Sequence, residues 1–266
     1  PGANELGDIR FESDGTVLLS TGTHDHGQGH WTSFAQVVSA KLGIPFGKIR
    51  LMQTDSDALP MGNGTGGSKS IMASGNAFNE AADLVIEKAR AAAAEVLEAA
   101  VGDIEFVDGQ LTVAGTDKSI GLLDLAATGA SLNVSHVHKL SPSTYPNGVH
   151  IAEVEVDPET GEAKVALYTS VNDFGTLVNP MIVAGQVQGG VVQGIGQCFL
   201  EKTIYTDDGQ LATGSFMDYA MPRAEHAPHV HFYSKPSPAR TNALGVKGCG
   251  EAGCAGALAS VMNALN

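Results

Sequence analysis

Residues 149–171, VHIAEVEVDPETGEAKVALYTSV, decide the fold. Polar and apolar residues alternate on both sides of Pro158-Glu159-Thr160-Gly161, so two strands meet at a tight turn. A loop follows, NDFGTLVNP, and then residues 181–200, MIVAGQVQGGVVQGIGQCFL, read as a glycine-laden buried helix. The first half starts the same way. Ile9–Ser13 and Thr16–Thr23 flank Asp14-Gly15, a hairpin signal. Residues 31–42 then carry Phe34, Val37, Val38 and Leu42 at helical spacing, and Gly43 stops them. Each half therefore reads as hairpin, loop, helix, a weak repeat that predicts an α+β fold in two lobes with antiparallel or mixed sheets.

Further elements fit this frame. Ile49–Gln53 is a short strand, and 54–69 is a glycine-rich loop. A long helix is expected from about Ser70 to Ala100, rich in Ala, Glu and Leu. A second hairpin turns at Asp108-Gly109, LLDLAAT is a short helix, and Ala255–Leu265 forms an apolar one. Residues 129–147 are polar, with Ser, Pro, Asn and His, and read as the lobe boundary. The expected domains are 1–138 and 139–266.

The composition narrows the function. Lys+Arg 15 against Asp+Glu 29 gives a formal charge of −14 over 266 residues. That balance argues against nucleic acid and against an anionic membrane surface as partners, since both need a cationic face, and leaves open a local anion site built from backbone N–H groups. Gly 33 exceeds the roughly 19 of ordinary usage, which implies backbone approaching backbone or ligand. Three cysteines, Cys198, Cys249 and Cys254, suit a reducing, cytoplasmic setting better than a disulfide framework. No run reaches the ~18 apolar residues of a membrane span. The opening PGANELGDIR and the closing SVMNALN read as cut from something larger.

Four segments could carry chemistry. In Thr23–His30, THDHGQGH, the three histidines suggest a binuclear metallohydrolase site on His24, His26 and His30, although Asp25 stands in the wrong order for one. Alternatively the histidines are ordinary loop residues, and Gln28, set between glycines ahead of a helix, offers its amide to a planar heterocycle. The second segment, Gly62–Ser70, opens the long helix. Converging N–H groups and the helix terminus suit phosphate there, whereas a plain flexible loop is the bland alternative. The order of Lys69 and the serines is not that of a Walker loop, so a non-catalytic nucleotide-binding module stays open. The third, Gly185–Gln197, places Gln186, Gln193 and Gln197 on one helical face among glycines that cost about 1 kcal/mol each against Ala. Either tight helix packing or a ligand accounts for them. The fourth, GVKGCGEAGC, sets Glu251 among small residues ahead of a helix, as a general base or as a helix-terminal carboxylate.

These four segments, in this order, resemble the molybdenum hydroxylases of the xanthine oxidase family, and the resemblance covers nearly the whole chain. It is similar to the C-terminal molybdopterin-binding half of their large subunit, in the flavour of bacterial carbon monoxide dehydrogenase-like and heteroaromatic dehydrogenase chains. The resemblance implies that Gln28 and Gly29 face the pterin, and that Gly66, Gly67, Ser68, Lys69 and Ser70 hold the cofactor's phosphates. Gln186 and Gln193 would pack around it, and Gly250 would precede the catalytic Glu251. The cofactor would be molybdopterin, as the cytosine dinucleotide, with molybdenum held by the pterin and no protein metal ligand. It also implies hydroxylation of an aldehyde or N-heteroaromatic carbon with water as oxygen source, Glu251 taking the proton. Electrons would leave through an iron–sulfur subunit and an FAD subunit. The family's first molybdopterin-binding half is missing, so the chain alone should be inactive. Glu251 is expected on the buried floor of one cleft with Lys247 near it, and Gln28, Gln186 and Gln193 in that same cleft.

Overall fold

The structure is a computed structural model that describes residues 4–53, 55–139 and 142–266. The chain divides into two compact units. One runs to Thr144 and regains Ala239–Val246; the other holds Tyr145–Pro238 and Lys247–Asn266.

In the first unit the hairpin is β1 (Glu5–Phe11) and β2 (Val17–Ser20), with Gly15 at φ +77° in its turn. Helix α1 (His30–Leu42) follows and ends on left-handed Gly43. It leads into β3 (Ile49–Met52), which lies parallel to β2. The long helix is α2 (Asn76–Val96), preceded by one π-helical turn, Ile71–Gly75. The small sheet of β4 (Ile104–Val107), β5 (Gln110–Val113) and β6 (Ser119–Gly121) and the helix α3 (Leu122–Ala127) come next.

Residues 129–147 depart from a simple polar boundary. They contain strand β7 (Val134–His138), antiparallel to β1 at the edge of the order β3-β2-β1-β7. VSHVH alternates, and its buried residues Val134 and His138 face α2 although one of them is polar. Helix α2 comes close because its inner face is alanine: Ala77, Ala81, Ala82, Ala89 and Ala93 are buried. A Cβ on Gly7 would lie 2.6 Å from the carbonyl carbon of Ala77, so β1 needs glycine at that crossing. Ile9, Leu19, Phe34, Val38, Phe78 and Val85 fill the core between sheet and helices.

The second unit repeats the topology. Strands β8 (Asn147–Val156) and β9 (Ala163–Asp173) form the long hairpin, with a bulge at Glu153/Val154. Helix α4 (Pro180–Phe199) starts with Asn179, whose Oδ1 accepts the Ile182 N–H, and with proline in its first turn. It leads to β10 (Val230–Ser234), parallel to β9, and α5 (Ala252–Leu265) closes the unit. In both units a hairpin, a helix, a strand parallel to the hairpin's second strand and a further helix follow in order. The mixed sheets and interleaved helices are those of an α+β fold. The core of this unit is Val165, Tyr168, Phe174, Val187, Val191, Ile195, Ala257 and Val261.

Candidate functional site

The first unit stitches two of the four segments together. Gly22, at the end of β2, crosses Gly62: a Cβ on Gly22 would sit 2.1 Å from the Gly62 Cα. The Gly64 N–H donates to the Gly22 carbonyl at 3.2 Å. The Thr65 hydroxyl donates to the His24 carbonyl and accepts the His24 N–H at 3.0 Å. The loop 23–30 and the loop 62–70 are therefore one folded surface. Beneath it lies a buried polar layer in which Ser74 bonds both Thr21 and Thr23, and Gln53 donates to Thr23.

Within this surface the expected residues fare differently. Gly66 and Gly67 face open space, with room for a Cβ and more. Gly67 has φ +61° and Ser68 φ +52°, a left-handed pair that costs the serine about 1 kcal/mol and turns the chain into the helix. Ser70 is buried at the start of the π-helical turn. Lys69 instead reaches back and donates to the Asn63 carbonyl at 3.2 Å. The Gln28 amide is folded on its own loop: its oxygen accepts the His26 N–H and its nitrogen donates to the His24 carbonyl at 2.9 Å. The outward donor–acceptor edge expected of it is spent internally. Gly29, at φ +81°, enters α1.

The histidines do not form a metal centre. His24 Nδ1 and His26 Nε2 lie 2.7 Å apart, paired with each other on the surface. His30 is buried, stacked on Phe34 at 4.8 Å, and burial pushes its pKa down to about 4. Asp25 accepts the N–H groups of Gly27 and His30, holding the loop rather than a cation. Among the described residues no group of three His, Cys, Asp or Glu could hold a metal ion. The metallohydrolase reading is set aside.

In the second unit α4 and α5 carry the other two segments. Gly190 and Gly194 pack into α5; a Cβ on Gly190 would be 2.9 Å from the Cys254 nitrogen, and one on Gly194 would be 2.5 Å from the Ala257 Cβ. Tight helix packing explains those two, whereas Gly185 and Gly189 have nothing within 4 Å. Gln186 is half-buried, and Gln193 and Gln197 are exposed. A Cβ on Gly253 would meet the Val187 carbonyl at 2.3 Å, which ties the turn after Glu251 to the turn after Gln186.

Glu251 stands at the start of α5, as expected, but it is exposed, not buried, and Gly250 before it is exposed too. Lys247 bonds Asp173, not Glu251. Burial works to raise the Asp173 pKa, and that ion pair with the N–H groups of Gly175 and Ser237 holds it below the usual range. Helix α5 is seated on β8 and β9 by a chain of bonds. His150 Nε2 meets Asn172 Oδ1 at 3.1 Å, His150 Nδ1 meets the Tyr168 hydroxyl at 2.9 Å, and that hydroxyl meets Ser260 at 3.0 Å. Cys198, Cys249 and Cys254 are free thiols, and burial raises the pKa of Cys249 to about 11. Gln28 and the glycine loop belong to the first unit, and Gln186, Gln193 and Glu251 to the second.

A backbone loop with open glycines at the head of a helix fits anionic phosphates, because N–H groups and the helix terminus attract negative charge. The molybdopterin cofactor-binding domain family matches residues 2–228, and the chain belongs to it. Among curated proteins, the chain is 35% identical to the 6-hydroxypseudooxynicotine dehydrogenase complex subunit gamma of Paenarthrobacter nicotinovorans, over 100% of the chain and 35% of that protein. It is 37% identical to the nicotine 6-hydroxylase large subunit of the same organism, over 97% and 33%. The reconstituted CO dehydrogenase structure from Oligotropha carboxidovorans matches with a TM-score of 0.88 and 32% identity, over 98% of this chain and 34% of that one. The chain thus spans about a third of the relatives it matches. The resemblance to molybdenum hydroxylases of the xanthine oxidase family holds in sequence and in fold.

Proposed function

We propose that this chain is the molybdopterin-binding part of a molybdenum hydroxylase that oxidises an aldehyde or N-heteroaromatic carbon with oxygen from water. The observation that carries the reading is the stitched surface of the first unit, with Gly66 and Gly67 open at the head of a long helical run. When bound, the cofactor supplies the metal centre at which the substrate carbon is oxidised.

The chain's own residues do the rest. The N–H groups of Gly66, Gly67, Ser68 and Ser70 hold the phosphates, and the cytosine dinucleotide is the form assigned to them. Lys69 adds charge to that loop only if it leaves Asn63. Gln28 turns its amide outward on binding, and Gly29 gives it the room. Gln186 and Gln193 line the cofactor from α4, and Gly250 keeps the approach to Glu251 clear. Glu251 takes a proton during hydroxylation. The name of one relative supports the N-heteroaromatic substrate class, since it is a nicotine 6-hydroxylase.

The partners in this reading are a first molybdopterin-binding half, an iron–sulfur subunit and an FAD subunit, so the chain alone is inactive. Among the described residues no helix is long and apolar enough to cross a membrane, and we assign the chain to the cytoplasm. The test is Glu251→Gln in the assembled enzyme. Molybdenum content should hold while turnover falls by at least about 10²-fold, as for loss of a positioned base. Wild-type turnover at full molybdenum content would reduce Glu251 to a helix-terminal residue.

A further inference from the structure

The two units repeat one topology and differ at one position. In the first, β3-β2-β1-β7, the hairpin strand β1 has the antiparallel β7 on its outer side. In the second, β10-β9-β8, the corresponding hairpin strand β8 ends the sheet, and among the described residues no strand lies beyond it. The outer strands β3, β7 and β10 have 4 or 5 residues, whereas β8 has 10. Edge strands are kept from further pairing by shortness, proline, lysine or a bulge. NGVHIAEVEV holds neither proline nor lysine. The extra residue of its bulge is Ala166 of β9, since Glu153 faces Leu167 and Val154 faces Val165. Side chains along β8 alternate. His150 bonds Tyr168, and Ala152 and Val154 pack on the core. Val149, Ile151, Glu153 and Glu155 take the other face, where Val149 is 63% and Ile151 56% exposed. Val149 pairs with Val171 and Val171 with the exposed Tyr233, so the apolar strip continues across the sheet.

We infer that the outer edge of β8 pairs, antiparallel, with an extended segment of the first molybdopterin-binding half, which takes beside β8 the place that β7 takes beside β1. The identity of that partner rests on the proposed function. In the nicotine 6-hydroxylase large subunit the matched part is 33% of one polypeptide, so the rest of such a subunit is the nearest supplier of a strand. The edge sets the chemistry of the segment. It is apolar where it passes Val149 and Ile151. It carries Lys or Arg where it passes Glu153, because Glu155 already holds Lys164 at 2.8 Å. Main-chain bonds supply affinity in such strand addition, and alternate side chains supply specificity. A second copy suits this edge poorly. Each copy carries a charge of −14, and a two-fold pairing of β8 with itself sets the Glu153 and Glu155 carboxylates of both copies on one face.

Hydrogen exchange over residues 147–156 tests this, in the lone chain and in the chain purified with its co-expressed partner chains. Alternate β8 amides point away from β9 and stay open to water in the lone chain. In the assembly they should exchange at least about tenfold more slowly, as for a gained hydrogen bond. Equal exchange in the two samples would overturn the inference. Ile151→Lys places a charge on the exposed face, outside the core. It should leave the thermal midpoint of the lone chain unchanged and cut recovery of the assembly at least about tenfold, because lysine blocks an edge. Ile151→Val should restore recovery. Wild-type recovery with Ile151→Lys would count against the pairing, and if that variant does not fold, the exchange comparison decides alone. A lone chain that runs as a dimer and is split by Ile151→Lys would put a second copy on the edge and overturn the inference. Molybdenum content of the same assembly separates the two readings. Molybdenum with an unprotected β8 sinks the pairing alone, and a protected β8 without molybdenum sinks the proposed function alone.

Discussion

Gly253 and Val187 meet backbone to backbone: a Cβ on the glycine would lie 2.3 Å from the Val187 carbonyl oxygen and 2.8 Å from the Val191 nitrogen. No side chain intervenes that could move aside. Helices α4 and α5 are therefore locked at one spacing where the Gln186 turn passes the Glu251 turn, and the α4 glycines divide by what they face.

The division gives opposite predictions for two substitutions. Gly253→Ala should destabilise the chain by about 1–3 kcal/mol, because its methyl group forces the helices apart. Gly185→Ala meets nothing and should stabilise it by about 0.5–1 kcal/mol, since glycine in a helix interior costs that much against alanine. Denaturant unfolding of both variants checks this. Equal shifts in the same direction would show that the α4–α5 contact is softer than described.

His30 predicts an acid sensitivity. Its folded pKa of about 4 lies below the ordinary histidine value of 6.5 because the buried ring resists charge. The unfolded chain therefore binds the proton first as pH falls. The stability is complete above pH 6.5 and is lost progressively down to about 4. The full loss is about 3 kcal/mol. His30→Phe keeps the stack on Phe34 and should flatten the unfolding free energy across that window. A slope unchanged by the substitution would assign the sensitivity to other groups.

Much of this fold can be read in the sequence, for identifiable reasons. The hairpins at Asp14-Gly15 and Pro158–Gly161 and the helix ending at Gly43 each combine a period with a stop signal, so local chemistry suffices. Strand β7 escapes that logic: its five residues include two histidines and a serine, and only the pairing with β1 and Glu80 makes them a strand interior. Glu5 is similar. A carboxylate in ELGDIRF looks like solvent-facing alternation, yet it shares the inward phase of Gly7 and Ile9. The positions of Gln28 and Lys69 in their loops were legible, but where their side chains turn depends on carbonyls of the folded loop. For the α4 glycines the sequence leaves packing and ligand as alternatives, and the structure assigns packing against α5 to Gly190 and Gly194 and packing against Pro222 and Glu201 to Gly196, while Gly185 and Gly189 meet nothing.

The central claim is that this chain holds molybdopterin as part of a larger molybdenum hydroxylase. The most direct test is the molybdenum and pterin content of the chain purified with its co-expressed partner chains, beside the chain purified alone. The account predicts molybdenum and pterin in equal, stoichiometric amounts in the assembly, and little or none in the lone chain. An assembly that contains neither, or a lone chain with a full complement of molybdenum, would contradict it.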